Sequence, residues 1–337
     1  MMVGPTKVDI VRGIGAGILP ERSSRRRVAI LTQAEVGPGP EQLAGRLGKS
    51  GYQAEVIQLP DREAAKTLQV AARTYEQLAA LGLSREDTIV GYGGGSVTDT
   101  AGFVAGTWLR GVEVVHIPTT LLAAVDASIG GKTGVNVGGK NLVGVFWHPT
   151  RVVVDLDVLD RLPGGLLLEG MAEVLKAALI GDTELLARIE AHGVAAPLEE
   201  VVPAAIRVKA GYVSSDPEEK GERAMLNFGH TVGHAVEFAS SMSHGFSVGV
   251  GMVAASAVSQ KLLDFDSNDR VVDAVARLGL PTAVGSLDRD RISDLLLQDK
   301  KRDGRGLRMV LLAELGKPVL RHVETTDVDA GLAAVGL

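Results

Sequence analysis

The stretch Ile89–Gly106, IVGYGGGSVTDTAGFVAG, runs from β-type residues through a glycine cluster into a helical pattern. Gly93, Gly94 and Gly95 let the backbone approach a ligand closely, and the helix behind them turns its free N–H groups toward an anion. Strand, glycine turn and helix in that order suit a diphosphate. The spacing departs from G-x-G-x-x-G, because Ser96 stands at the last glycine position. Taken alone, the stretch reads equally as a plain tight turn. Asp99 then reads as a carboxylate in a helix's first turn, serving the dipole.

On both sides of this stretch, short β-type runs alternate with helical ones. RVAILT (27–32) reads as a strand, PEQLAGRLGKSG (40–51) as a helix with a glycine stop, and AEVIQLP (54–60) as the next strand. The segment from Glu63 to Leu83 has helical periodicity throughout, and VEVVHIPTT (112–120) and RVVVDL (151–156) are again β-rich. Such alternation predicts a parallel sheet with helices on its faces. Past Pro163 the texture changes to nearly continuous helix as far as Gln298, followed by a β-hairpin around Gly316. The expectation is an α/β Rossmann-like amino-terminal domain over residues 1–163 and a mainly α-helical carboxy-terminal domain over 164–337.

Composition narrows the function classes. A chain of 337 residues is long for one core and suggests about two domains. It has no cysteine, so disulfides, thiolate metal sites and a cysteine nucleophile are excluded. A formal net charge of −6 argues against a general nucleic-acid binder, which needs a basic face. The amino terminus lacks the pattern of a signal peptide, and the most apolar stretch, FSVGVGMVAASAV (246–258), reads as too short to cross a bilayer. A cytoplasmic protein without membrane contact is expected.

Three of the seven histidines fall in LNFGHTVGHAVEFASSMSHG, Leu226–Gly245. His230 and His234 are spaced i, i+4, which places both on one helix face, where they can share a metal ion. Thr231 occupies the glutamate position of H-E-x-x-H, so this is not the protease motif. A third ligand is then His244 or a carboxylate from the apolar segment EGMAEVLKAALIGD, which offers Glu169 and Glu173. The alternative is a set of helix-surface polar residues with no ligand at all.

The ordered set GGGSVTDTAGFVAGTWLRG, IPTTLLAAVDASIGGKTGVN, GKNLVGVFWHP, EVLKAALIGD and LNFGHTVGHAVE resembles the sugar-phosphate cyclase family, and within it the 3-dehydroquinate synthases. The resemblance runs from about Pro60 to Leu312. It implies NAD binding, one divalent ion (usually zinc, with cobalt an alternative), and an active site in the cleft between the two domains. The ligands it implies are Glu173, His230 and His244, with His234 facing the substrate instead. The implied substrate is 3-deoxy-D-arabino-heptulosonate 7-phosphate. The implied reaction is transient oxidation at C5, β-elimination of phosphate, re-reduction, ring opening and an intramolecular aldol closure to 3-dehydroquinate. Zinc would act as the Lewis acid at the C5 oxygen.

Residue by residue, the resemblance assigns the diphosphate to Gly94, Gly95 and Ser96, with Asp99 near the nicotinamide. It places Thr119, Thr120 and Asp126 along the cofactor and Glu63 and Lys66 near the adenosine ribose. Lys132 and Lys140 would serve cofactor and substrate together. The substrate's carboxylate and phosphate would meet Asn141, Lys176, Lys209, Arg223, Asn227 and one of Lys300 and Lys301. Glu219 would orient a cation, and Arg110 would reach phosphate in a neighbouring subunit of a homodimer. A helical chain through Arg223, Asn227 and His230 would put all three near one face.

Two features depart from the family pattern. Gln33 in LTQAEV stands where an aspartate or asparagine is usual, and the loop GVNVGGKN (134–141) is about one residue short. The rival readings are an aminodehydroquinate, deoxy-scyllo-inosose or valiolone-type cyclase, a net NAD-dependent polyol dehydrogenase, and a non-catalytic paralogue. The intact set of cations favours dehydroquinate formation.

Overall fold

A computed structural model describes residues 1–19, 26–240, 242–285, 287–303 and 307–337, apart from the side chains of residues 16 and 298–303. The chain forms two compact units, Met1–Leu162 and Pro163–Leu337.

The first unit is a twisted sheet covered by helices. Its strands are β1 (Met2–Val3), β2 (Thr6–Val11), β3 (Arg27–Thr32), β4 (Gln53–Gln58), β5 (Thr88–Gly93), β6 (Glu113–Pro118) and β9 (Arg151–Asp155). Their order is β1-β2-β9-β6-β5-β3-β4, with every pairing parallel except β1 on β2. Alternation along each strand supplies two faces. Ala29 and Leu31 join Ile89 in the core beneath α2 (Leu68–Ala80) and α3 (Gly95–Thr107), while Val28 and Ile30 join Val90 in the core beneath α1 (Gly39–Lys49). Numbered from β3, the parallel strands β3, β4, β5, β6 and β9 run 2-1-3-4-5 across the sheet. The switch point, where neighbouring strands leave in opposite directions, lies between β3 and β5. Ligands of such sheets bind beyond the carboxyl ends of the strands at that crevice, which here carries Gln33 on one side and Gly94 on the other.

Several local readings need correction. The segment 63–83 is not one helix. A 3₁₀ turn at Arg62–Ala65 ends at Lys66, and Thr67 caps α2 by accepting from the Val70 N–H at 3.1 Å. Asp99 is not in the first turn of α3, which starts at Gly95 and has no acidic residue there; it lies one turn further in. Lys132–Val135 (β7) and Val143–Phe146 (β8) form an antiparallel hairpin with no forecast in the sequence reading. The unit closes with the short helix α4 (Leu156–Leu159).

His116 of β6 is buried between two glycines. A Cβ on Gly91 would stand 2.9 Å from its Nδ1, and one on Gly102 3.6 Å from its Nε2. Burial pulls its pKa down to about 3. The unfolded chain therefore binds a proton below the ordinary histidine pKa of about 6.5 that the folded chain refuses, and stability falls as pH drops through that value. Between pH 7 and pH 5 this histidine alone is expected to remove about 2 kcal/mol. Denaturant titrations at both pH values check this: the loss should shrink by that amount in His116→Gln, and an equal loss in both proteins contradicts it.

The second unit packs around α9 (His244–Leu263), a helix apolar on nearly all sides. Helices α5 (Gly164–Gly181), α8 (His230–Ala239), α10 (Asn268–Leu278) and α12 (Thr325–Ala334) lie against it, as does β10 (Arg308–Glu314), which pairs with β11 (Lys317–His322) as the expected hairpin. Helices α6 (Thr183–His192), α7 (Leu198–Ser215) and α11 (Arg289–Asp303) complete the unit. The helix α12 after the hairpin is absent from the sequence reading. So is the full length of α9: its 20 residues and mean hydropathy of 1.3 meet the length and composition of a membrane span, contrary to the expectation from 246–258. Its burial explains the apolar composition instead, since 67% of the window is covered inside the unit.

Glycines set the close approaches. A Cβ on Gly245 would overlap the Glu169 backbone, one on Gly233 would stand 2.9 Å from the Ser247 carbonyl oxygen, and one on Gly251 would overlap the Gly229 carbonyl. The backbones of α5, α8 and α9 therefore meet almost without intervening side chains.

Candidate active site

In the second unit these contacts draw three helices to one point. Glu173 comes from the middle of α5, while His230 and His244 are the first residues of α8 and α9. The ligand atoms of all three lie within 4.8 Å of one another. His230 Nε2 and His244 Nε2 each stand 3.5 Å from Glu173 Oε1. Donors at about 2.0–2.2 Å from one tetrahedral zinc are about 3.3–3.6 Å apart, so the spacing suits a shared ion. The Glu173 carboxylate is buried, and neither oxygen has a partner in hydrogen-bonding geometry, although the Lys176 ammonium lies 2.5 Å from Oε2. Oε2 is thus paired with an ammonium, while Oε1, the oxygen both imidazoles face, is the one placed to take a cation.

Each imidazole is oriented through its Nδ1, His230 by a backbone carbonyl and His244 by the Glu237 carboxylate. His230 Nδ1–H donates to the Phe228 carbonyl at 3.1 Å, which leaves the Nε2 lone pair toward Glu173. Burial, reinforced by Lys176, pulls the His230 pKa down to about 3, so the ring is neutral at physiological pH. Burial pushes Glu173 up, but Lys176 and the two imidazoles outweigh it and hold the carboxyl well below its usual range. For His244, burial pulls downward and is overcome by the flanking carboxylates of Glu173 and Glu237, which raise it to about 10.

His234, one turn after His230, is exposed and outside this group, although its ring centroid is 5.1 Å from that of His230. The i, i+4 pairing on one metal is therefore corrected to a set drawn from three helices. The proposed common face for Arg223, Asn227 and His230 is corrected too. Residues 222–227 form a 3₁₀ turn, and Gly229, with φ of 79°, breaks the chain before α8. Arg223 is nonetheless only 1% exposed and donates to the Pro217 carbonyl at 2.6 Å. Asn227 Nδ2–H donates to Glu219 at 3.1 Å. Lys176 and Lys209 are 3% and 7% exposed, so among the described residues this unit of an acidic chain holds three buried cations. Lys300 and Lys301 lie outside the described side chains.

In the first unit, Gly94 precedes α3 in an extended conformation and no side chain caps the helix. The amides of Gly95 and Ser96 open the helix, where N–H groups have no intrahelical acceptor. A Cβ on Gly94 would stand 3.3 Å from Thr120 Cγ2 and one on Gly95 3.3 Å from Ala127 Cβ, so the loop lies against the segment with Thr119, Thr120 and Asp126. Thr119 is tied in place by donating its N–H to the Gly93 carbonyl at 2.9 Å.

A polar network joins the other expected cofactor residues. Lys66 Nζ donates to Asp99 at 2.6 Å. Burial raises the Asp99 pKa, and the Lys66 ammonium offsets only part of that rise. Asn136 donates through its side chain to Glu63 at 2.7 Å, accepts from the Asn141 N–H at 2.9 Å, and donates its own N–H to the Lys66 carbonyl at 2.7 Å. Asn141 takes a left-handed φ of 54°, which asparagine tolerates. Asn136 thus pins together Glu63, Lys66 and the Lys140–Asn141 turn, a role that only the distances expose. Gln33 donates to the Pro60 carbonyl at 2.7 Å and to that of Arg62 at 3.1 Å, and Ser96 Oγ–H donates to it at 3.4 Å. Its amide is spent holding the Glu63 turn against the glycine loop. Lys132 opens β7, while Arg110 is exposed beyond the far end of α3, about 20 Å of helix from the glycine loop.

Two family models match the sequence: 3-dehydroquinate synthase N-terminal over residues 56–168 and 3-dehydroquinate synthase C-terminal over residues 170–302. The 3-dehydroquinate synthase of Corynebacterium jeikeium (strain K411) is 43% identical over 325 residues, 93% of this chain and 88% of that one. Among solved structures, the 2-epi-5-epi-valiolone synthase ValA from Streptomyces hygroscopicus subsp. jinggangensis 5008, with NAD+ and Zn2+ bound, superposes with a TM-score of 0.89 at 28% identity, covering 98% of this chain and 96% of that one. A 2-deoxy-scyllo-inosose synthase complexed with carbaglucose-6-phosphate, NAD+ and Co2+ gives 0.88 at 27% identity, covering 97% and 96%.

Proposed function

The chain belongs to the 3-dehydroquinate synthase family, and from that premise we propose that it converts 3-deoxy-D-arabino-heptulosonate 7-phosphate to 3-dehydroquinate and phosphate. The reading is carried against the cyclitol rivals by the 43% identity to a 3-dehydroquinate synthase over 93% of the chain, against 28% and 27% for the cyclitol synthases. The buried Lys176, Lys209 and Arg223 support it further, because a neutral polyol needs no such cations.

When bound, NAD supplies a transient hydride acceptor and a divalent ion supplies a Lewis acid. The chain's own residues do the rest. The N–H groups of Gly95 and Ser96, beside Gly94, receive the diphosphate at the amino end of α3. Glu63 is turned toward the ribose by Asn136, with Lys66 beside it donating to Asp99. Thr119, Thr120 and Asp126 line the same cofactor, with Lys132 and Lys140 beside it. Glu173, His230 and His244 hold the ion. Lys176, Lys209 and Arg223 bind the substrate's anionic groups in surroundings of low dielectric, where each contact counts for more than in water. Asn227 is aimed by Glu219 and Asn141 is fixed by Asn136, and both serve the substrate's anionic groups beside those cations. His234 stands outside the set of three ligands and faces the substrate. One of Lys300 and Lys301 adds a cation, and Arg110 serves the phosphate in a second copy of the chain.

Competition among substrates tests the assignment. Turnover is expected with the seven-carbon acid phosphate and not with hexose 6-phosphates that lack the carboxylate. Preferred turnover of a substrate without a carboxylate would transfer the protein to the cyclitol branch. On the cofactor side, Asn136→Ala is expected to weaken NAD about tenfold, the worth of a lost hydrogen bond to a charged group. Calorimetric titration checks this, and an unchanged dissociation constant would remove Asn136 from the account.

A further inference from the structure

Glu237 lies near the carboxyl end of α8, outside the set of three ligands. Its Oε2 is 3.0 Å from Nδ1 of His244, the ring nitrogen facing away from Glu173. We propose that Glu237 is the positioning residue of the metal centre, fixing the His244 ring and adding the negative charge that the centre otherwise lacks. The inference rests on the metal site proposed above.

Two observations carry it. First, the ligands are unequally supported. Glu173 and His230 side chains are 1% and 11% exposed, whereas His244 is 29% exposed. His230 is also held by a backbone carbonyl, but His244 follows the short α8–α9 connection and has no such neighbour in the described contacts. A carboxylate acceptor is the stronger anchor, and it selects the tautomer that offers Nε2 to the ion.

Second, the local charge is unbalanced. A dication would face one ligand carboxylate, the adjacent Lys176 ammonium, and the positive amino ends of α8 and α9, where His230 and His244 are the first residues. Glu237, 14% exposed, offsets part of that excess from behind the ligand. The same geometry accounts for the second cluster of donor atoms, His234, Glu237 and His244. It is the outer side of one centre, since His244 Nδ1 is engaged by Glu237.

The test is zinc affinity of the purified full chain, measured by competition with a chromophoric chelator, in wild type, Glu237→Gln and Glu237→Ala. Zinc is expected to bind wild type with one equivalent, and affinity should fall about 10–100-fold in Glu237→Ala, with Glu237→Gln between because it keeps an acceptor oxygen. The visible spectrum of the cobalt-substituted protein should shift in the same order. The rise in melting midpoint on adding zinc, taken against each variant's own metal-free midpoint, should shrink in the same order. Affinities within about twofold of wild type in both variants would overturn the inference and leave the metal site standing. Two equivalents in wild type and one in the variants would also overturn it, because Glu237 would then be a ligand itself. If Glu237→Ala does not fold, Glu237→Gln alone decides by the same criterion. A wild type that binds no zinc removes the metal site and the inference together.

Discussion

Glu173→Gln is expected to abolish metal retention and to lower kcat/KM for phosphate release by about 10³–10⁴-fold, the equivalent of the several kcal/mol that a Lewis acid supplies. The substitution changes almost nothing in volume. It removes the one anionic ligand, whose two oxygens are buried with no partner in hydrogen-bonding geometry. It also leaves the Lys176 ammonium, 2.5 Å away and buried, facing a neutral amide. Breaking a buried pair of this kind costs about 3–5 kcal/mol, so the melting midpoint should fall as well. Metal content after dialysis, kinetics and thermal melts form the check. A variant that keeps one tightly bound ion and wild-type turnover would show that the three-helix cluster is not the metal centre.

The second large effect concerns a residue without a side chain. Gly251→Ala is expected to destabilise the protein by about 3 kcal/mol or more and to lower zinc affinity with it, as overpacking against unyielding backbone does. The new Cβ would overlap the Gly229 carbonyl and stand 2.7 Å from the Gly233 N atom. Both contacts are backbone, so no rotamer change relieves them. Gly229 is the left-handed residue that launches α8 at His230, so pushing it away moves a ligand. Gly211→Ala is the control: it lies in α7 with nothing within 4 Å of a new Cβ and should stabilise by about 0.5–1 kcal/mol. Denaturant titrations of both variants, with zinc binding beside them, give the comparison. Equal stability of the two would contradict the backbone contact.

Much of the fold was legible in the sequence because burial writes itself into periodicity. The runs at 27–32, 88–93, 113–118 and 151–155 alternate between two buried faces, and the glycines after β5 mark the turn into α3. What escaped was decided by single residues. Thr67 competes for the Val70 N–H and splits an otherwise periodic helix. Gly229 inserts a left-handed step between Arg223 and His230, which no 3.6-residue count anticipates. The hairpin of β7 and β8 is built on short, glycine-bearing strands with little alternation.

The candidate site was less legible. Local spacing paired His230 with His234, whereas the family resemblance implied His230, His244 and Glu173, the set that the structure groups across three helices. Periodicity alone misses that set because it depends on glycine contacts between α5, α8 and α9. Asn136 and Glu237 escaped for a related reason: each acts through another residue, and both read in sequence as ordinary polar surface. A signal for Glu237 did exist, as a carboxylate seven residues before a histidine, but nothing local gives it a partner.

The most direct test of the central claim is phosphate release from 3-deoxy-D-arabino-heptulosonate 7-phosphate with substoichiometric NAD, with and without a chelator, and with mass detection of the product. The account predicts 3-dehydroquinate and phosphate in equal amounts, no net NADH, and loss of turnover on chelation that zinc restores. Stoichiometric NADH without phosphate, or turnover indifferent to the chelator, would contradict it.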